Sequence, residues 1–500
     1  MYGLPVTDML RHSPRFPLII DYDGWQPLSA KDKEGALLAL QKHDRVHSIQ
    51  LCASTATLDK LFAAMNGPFL LLDHLGLCIE DSDADKGESE GDKLNCPGLP
   101  ESFQAPHLRQ LNLSQVVDAT GVGLSLLASL TNLICLTLAG IPASRYLPLN
   151  YLASCLSLMP QLEFIDLKFY IPYDDIVREP VNPLNVKQIS LPNLSKIFFQ
   201  GDSSYLEGLA AWITAPHITI FNATFLNQPS STLPHLSGLL TSAAGFRFPI
   251  TCIKFPGTCV DDSNVTICMA SSEQTLGCQS NVPPFRMSFP SRSLYTQVAS
   301  TVKICAALMP MLSAVEGLHL CFDWTCCWSP HDRQIKNARW HNLLRPFCKV
   351  ERLQVDAKLW DLSLALSLND NGPSMEILPQ LRKILRSDGA RFRDAFDGFI
   401  AVRCDAGQHI VKRRCVPILY PDSEASEGEE DADKSNGGED EKPENNEGEV
   451  ELGVEDEREE TEEGSSNTKT VSDIDPRTED DPGSSTEIDS DSDFDSESKS

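Results

Sequence analysis

Apolar residues recur along the chain in a six-residue figure, apolar-x-x-apolar-x-apolar. It stands at Val46-x-x-Ile49-x-Leu51, Leu72-x-x-Leu75-x-Leu77, Leu108-x-x-Leu111-x-Leu113, Leu133-x-x-Leu136-x-Leu138 and Leu162-x-x-Ile165-x-Leu167. It continues at Leu194-x-x-Ile197-x-Phe199, Ile218-x-x-Phe221-x-Ala223, Val315-x-x-Leu318-x-Leu320 and Val350-x-x-Leu353-x-Val355. The last two apolar positions of each figure lie two apart, so they point to one face of a short strand. Between the strands the spacing turns helical: Leu58, Leu61, Phe62 and Met65 make one stripe, Leu149, Leu152, Cys155, Leu156 and Met159 a second, and Leu206, Leu209, Ala210 and Ile213 a third. Proline precedes several strands, as in Pro106-His-Leu108, Pro160-Gln-Leu162, Pro192-Asn-Leu194 and Pro216-His-Ile218, where it ends the helix and sets an extended entry.

A strand of this kind buries its apolar face only when a neighbour stacks on it, so the figure implies a stack. Successive starts from Val46 to Ile218 are 26, 36, 25, 29, 32 and 24 residues apart, centred near the leucine-rich-repeat period of roughly 20–29 residues. The fold class expected is α/β, an irregular leucine-rich-repeat solenoid with a concave parallel sheet over residues 1–420. The repeat is interrupted by an acidic insertion at 80–95 and by 227–300, where the spacing is lost and Thr251–Phe255 and Val265–Ala270 read as strands of a hairpin or of irregular repeats. Residues 322–339, with Trp324 and Trp328, read as a loop between repeats.

Charge divides the 500 residues more sharply than the repeat does. Of the formal −29, residues 421–500 carry −26, with 32 Asp/Glu against 6 Lys/Arg, and the first 420 hold 39 against 36. The tail is too poor in apolar residues to offset its ordering entropy and is expected to be disordered. A near-neutral body excludes a protein that binds nucleic acid through a general excess of Lys/Arg. All sixteen cysteines lie between Cys52 and Cys415, and the opening Met1-Tyr2-Gly3-Leu4-Pro5 has no signal-peptide pattern. A reducing cytoplasmic or nuclear location is therefore expected, which leaves Asn112, Asn193, Asn222 and Asn264 of the Asn-x-Ser/Thr triplets without glycosylation machinery. No apolar run approaches the ~20 residues of a membrane span, so neither a membrane nor direct nucleic-acid contact is expected.

Several stretches resemble one group of proteins. Tyr2-Gly-Leu-Pro-Val-Thr-Asp-Met-Leu10 with Phe16-Pro-Leu-Ile-Ile-Asp-Tyr22 resembles the segment that follows the F-box in the expanded F-box family of mushroom-type fungi. Asp44-Arg-Val-His-Ser-Ile-Gln-Leu51 resembles that family's first repeat, and Phe198-Phe-Gln-Gly201, Tyr205-Leu-Glu-Gly-Leu209, Ala215-Pro-His-Ile218, Leu343-Leu-Arg-Pro-Phe347 and Phe399-Ile-Ala-Val-Arg403 follow in order. The resemblance implies the substrate receptor of a cullin-type ubiquitin ligase, in which the repeat domain holds a protein target. It covers the repeat region only. The post-F-box segment starts at Met1, so the F-box itself is expected to be missing and docking on the ligase adaptor is expected only where an F-box is encoded upstream.

In a solenoid the residues between and just after the apolar strand positions face the concave side. These are Gln110, Asn112 and Ser114; Thr137; Phe164, Asp166 and Lys168; Lys196, Phe198 and Gln200; Ile220, Asn222 and Thr224; His319; and Arg352 and Gln354. Phe164, Phe198 and Ile220 on neighbouring strands have the composition of a recognition hot spot with a polar border, unless a helix or loop of the irregular region covers them. Asn112, Thr137, Asp166, Lys168, Asn222, His319 and Gln354 complete the candidate partner-binding set.

Other chemistry is sparse. Cys321, Cys326 and Cys327 have no paired C-x-x-C elsewhere, and Asp81-x-Asp83-x-Asp85 lacks the glycine and glutamate of a calcium loop. No nucleophile elbow, phosphate loop, dinucleotide fingerprint or H-E-x-x-H occurs, so no enzyme, metal or cofactor is expected. In the tail, Ser426, Ser472, Ser484, Thr486, Ser490 and Ser492 each precede an acidic residue by three positions, as an acidophilic kinase requires. A tail of this charge solvates the chain or engages basic proteins in the manner of an acidic chaperone.

Overall fold

The computed structural model describes residues 16–22, 29–79, 99–115 except 101, 122–142, 147–170, 188–229, 233–256, 264–272, 283–322 except 292, 337–356, 376–386 and 396–414, with positions 8, 10, 359, 362 and 366. The chain divides into two units, Met1–Pro421 and Asp422–Ser500, and every element below belongs to the first. The acidic insertion, the tail with its six phosphorylation candidates, Cys326, Cys327 and most of 322–339 lie outside the described residues.

All nine repeat figures form strands. Preceded by β1 (Leu18–Tyr22), they give β2 (Val46–Ala53), β3 (His74–Ile79), β4 (Gln110–Ser114), β5 (Cys135–Pro142) and β6 (Phe164–Tyr170). After β7 (Ile189–Ser190) come β8 (Lys196–Gly201), β9 (Ile213–Thr214) and β10 (Ile220–Phe225). The second half holds β11 (Ile250–Phe255), β12 (Asn264–Ala270), β13 (Phe285–Pro290), β14 (Gly317–Phe322), β15 (Arg352–Val355), β16 (Lys383–Arg386) and β17 (Val411–Arg414). The helices are α1 (Ala30–Leu40), α2 (Thr55–Ala64), α3 (Val122–Ser129), α4 (Leu149–Ser157), α5 (Ser203–Trp212), α6 (Pro234–Ser242), α7 (Leu294–Ala307), α8 (Met309–Leu312), α9 (Asn337–Leu344) and α10 (Asp397–Asp405). The three helical stripes read from the sequence are α2, α4 and α5. Phe322 closes β14 and Asn337–Arg339 belong to α9; residues 323–336, where the loop reading with Trp324 and Trp328 falls, lie outside the described residues.

Fifteen strands make one sheet in the order β1-β2-β3-β4-β5-β6-β8-β10-β13-β12-β11-β14-β15-β16-β17, and β7 and β9 form a small second sheet. The fold is mixed α/β with a large, mainly parallel sheet. In region 227–300, read as a hairpin or as irregular repeats, β11 pairs antiparallel with β12, and a third strand, β13, was not singled out in the sequence. The three enter the sheet in reverse order. Because β13 runs parallel to β10 and β11 parallel to β14, β12 is the one strand of this sheet that points the other way.

A repeated hydrogen bond holds neighbouring units in step. At many strand entries one carbonyl accepts two successive N–H groups of the next unit: Asp73 O from Arg109 and Gln110, Arg109 O from Ile134 and Cys135, Ile134 O from Glu163 and Phe164, and Glu163 O from Ser195 and Lys196. The same pair recurs at Ser195, Pro249, Glu316 and Glu351. Asn132 and Asn193 add side-chain bonds to the carbonyls of Pro106 and Pro160, at 3.0 and 3.1 Å. The backbone carbonyl at these eight entries is thus satisfied by the following repeat. One irregularity lies in β5, where the pairing with β6 shifts between Leu138 and Ile141. Gly140 sits there at φ +68°, a conformation that disfavours any side chain.

The core lies on one face of the sheet. Ile165, Leu167, Ile197, Phe199 and Phe221 point towards Leu206, Leu209 and Ala210 of α5 and Leu239 of α6. Aromatic packing follows the same rows: Phe169 meets Tyr205 edge-on at 4.9 Å, and Phe221 stacks on Phe285 at 5.7 Å. The Tyr205 hydroxyl donates to Leu147 O at 2.9 Å, which satisfies the polar end of a buried ring.

Candidate functional site

Successive residues of a strand alternate faces, so the residues between the core leucines all lie on the opposite, open side of the sheet. Pairing registers carry one row through all fifteen strands: Asp21, Gln50, Gly76, Asn112, Thr137, Asp166, Phe198, Asn222, Arg286, Cys268, Cys252, His319, Gln354, Leu385 and Arg413. Seven of the ten predicted partner-binding residues stand in this row. Phe164 and Ile220 lie in the row before it, on either side of Lys196, and Lys168 lies in the row after it.

The middle of the face, on β6, β8 and β10, combines aromatic, charged and amide groups. Phe164 and Phe198 are half-buried, with ring centroids 5.4 Å apart and planes at 40°. Lys168 and Lys196 are exposed at its border. Lys168 Nζ donates to Asp166 Oδ2 at 2.8 Å. Asp166 itself is only 7% exposed and stands between Thr137 and Phe198 of the neighbouring strands. Its second oxygen, Oδ1, is buried without a hydrogen-bond partner among the described residues, and so is Asn222 Oδ1. These two acceptors flank Phe198 in one row, each on an adjacent strand. A buried acceptor with no donor costs about 1–3 kcal/mol, so the centre of the face is chemically incomplete.

Towards the N-terminal end the face is polar. His74 lies between two glutamines, with Nε2 3.1 Å from Gln50 Oε1 and Nδ1 3.0 Å from Gln110 Oε1. Gly76 makes room for this ladder, since a Cβ there would meet the Gln50 side chain. Towards the other end, His319 and Gln354 pair across β14 and β15 and are half-buried. In between, the row passes through small buried side chains, Cys268 and Cys252. They pair directly across β11 and β12, and neither was singled out by the sequence pattern.

Among the described residues no group of three or more His, Cys, Asp or Glu is placed to hold a metal ion, and all ten described cysteines are free. No described helix is long and apolar enough to cross a membrane.

No family model matches the chain. No curated protein matches it either. Among solved structures it is similar to the leucine-rich repeat-containing protein LegL7 of Legionella pneumophila, at 14% sequence identity and a TM-score of 0.25, over 76% of this chain and 96% of that one.

Proposed function

We propose that the chain is a non-catalytic protein-interaction module: an irregular leucine-rich-repeat solenoid over residues 1–420 whose open face is concave and holds a protein target. The observation that carries this reading is the three-strand patch on β6, β8 and β10, where two neighbouring aromatic rings lie between two unsatisfied acceptors and exposed lysines. Such a patch suits a target that inserts an apolar side chain against Phe164 and Phe198, supplies N–H or O–H donors to Asp166 and Asn222, and presents acidic groups to Lys168 and Lys196. The finer setting, the target-holding part of an F-box-type receptor in the cytoplasm or nucleus, rests on the family resemblance of the quoted segments. Adaptor docking belongs to it only with an F-box upstream.

A second reading has its own observation, the 32 Asp/Glu against 6 Lys/Arg in residues 421–500. In it the chain is an acidic chaperone-like protein that holds basic clients through its tail. Affinity capture with the full-length chain and with a chain ending at Pro421, each washed at rising salt, separates the two. The recognition reading expects the same clients on both baits, retained at 0.3 M salt (about 6 Å of screening length), because contacts to a partly buried apolar patch are weakly screened. Clients that need residues 422–500 and wash off at that salt would replace it with the second reading.

A further inference from the structure

We propose that Cys321 is a thiol-modification site, reactive towards low-molecular-weight disulfides such as oxidised glutathione, and that Cys252 is its resolving partner. The inference does not depend on the recognition reading. The two sulfur atoms lie 3.7 Å apart on the open face, although their residues are 69 positions apart in the chain. The sheet brings them together: β11 and β14 run parallel with Cys252 opposite His319 and Lys254 opposite Cys321, so the two cysteines are diagonal neighbours. Their exposures differ in the useful sense. Cys252 is 3% exposed, whereas Cys321 is half-buried.

Burial favours the neutral thiol of Cys252, which makes it the donor of the S–H···S contact. Its S–H bond to Cys321 holds the Cys321 thiol below the ordinary range; burial opposes this, Lys254 opposite adds to it, and Asp356 acts against it. The Cys252 thiol is correspondingly pushed up, by the same contact and by burial. A thiol with an adjacent donor and a cation opposite is the kind that attacks a disulfide.

The chemistry closes without a further reagent. The Cys321 thiolate attacks one sulfur of the small disulfide; that S–S bond breaks, a mixed disulfide forms on Cys321, and one thiolate leaves and takes up a proton. Cys252 then loses its proton and attacks Cys321 Sγ, displacing the second small thiolate. Two protein thiols are oxidised by two electrons, and one small disulfide is reduced to two thiols. The sulfurs close from 3.7 Å to the ~2.05 Å of a disulfide, and thiol–disulfide exchange with excess reduced glutathione reverses the bond. It also lies beside His319 in the candidate recognition row.

The full-length chain is treated with excess oxidised glutathione, quenched with acid, and mapped by peptide mass spectrometry. The expected result is a Cys252–Cys321 disulfide, reversed by reduced glutathione. In Cys252→Ser, which keeps a hydrogen-bond donor, the expected product is one stable glutathione on Cys321; in Cys252→Ala, that adduct forms roughly tenfold more slowly. Absence of both disulfide and adduct at Cys321, while the exposed Cys348 and Cys404 are modified, would overturn the proposal. So would a glutathione adduct on Cys321 that persists in the unaltered chain, because Cys252 would then not resolve it.

Discussion

Phe221→Ala is expected to lower the free energy of unfolding by about 3–5 kcal/mol, the range for deleting a large aromatic side chain from a packed core. Phe221 has no exposed surface. It stacks on Phe285 with planes 19° apart, and Phe285 in turn meets Phe246 edge-on at 6.2 Å. The position also joins the repeat strands to the reversed insertion, since Phe221 pairs directly with Phe285 where β10 meets β13. The gap left by alanine would be lined from both sides by rigid strands, which limits its collapse. Phe221→Leu keeps most of the volume and should cost less than half as much. Urea unfolding followed by circular dichroism measures both; a loss under roughly 1 kcal/mol for alanine, typical of a surface site, would mean that this seam is not packed as described.

Arg403→Met is expected to cost about 2–4 kcal/mol, with the damage concentrated at the C-terminal end of the sheet. Arg403 is fully buried on α10, and its guanidinium lies over the Phe399 ring at 5.1 Å. Nη1 donates to Leu378 O at 3.4 Å and to Gln408 Oε1 at 2.6 Å, and Nη2 donates to Ile377 O. Gln408 completes the frame by donating to Pro379 O at 3.0 Å. These bonds fix the turn that leads into β16, in which Leu378 adopts a positive φ of 50°. Methionine fills much of the volume but takes the guanidinium donor from Ile377 O and leaves Leu378 O with the Leu381 N–H alone. Amide hydrogen exchange should therefore accelerate in β16 and β17 while β2 to β6 remain protected. Uniform acceleration throughout, or none, would contradict a local role.

The extent to which the fold could be read in the sequence follows from how each strand buries its side chains. β2 to β6, β8, β10, β14 and β15 each place two or more core residues two apart after a leading apolar residue, so the six-residue figure marks them. β13 buries Phe285, Met287 and Phe289 in the same alternation, and Val282-x-x-Phe285-x-Met287 fits the six-residue figure; the strand goes unread because the surrounding region 227–300 otherwise loses the spacing. β17 reads Val-Lys-Arg-Arg, and its Lys412 occupies the position that Ile384 holds in β16. As the last strand of the sheet it answers with an ion pair to Asp397 at 2.6 Å rather than with apolar burial. α7 is masked differently: Gln297 and Thr301 are fully buried within it, so its inner stripe is partly polar.

The candidate face was legible to the extent that it depends on alternation within single strands. Asn112, Thr137, Asp166, Phe198, Asn222, His319 and Gln354 fall in one row because each sits between two core residues. What alternation cannot convey is register and crowding. The burial of Asp166, the 5.4 Å approach of Phe164 to Phe198 and the meeting of Cys252 with Cys321 all depend on which strands are neighbours. The reversed order β13-β12-β11 puts the Cys252–Cys321 meeting beyond what spacing conveys, whereas β6 and β8 neighbour as the repeat implies.

The central claim, that the open face between β6 and β10 holds a protein target, is tested most directly by measuring the affinity of a captured client for the full-length chain carrying Phe198→Ala or Lys168→Glu. Both side chains face the open side, and Lys168 is a better probe than Asp166, whose burial would mix folding with binding. The account predicts that Phe198→Ala weakens binding by about 2 kcal/mol, roughly thirtyfold, and that Lys168→Glu weakens it by a smaller factor, with the unfolding midpoints of both variants close to that of the unaltered chain. Unchanged affinity in both variants, with binding lost when residues 422–500 are removed, would contradict it.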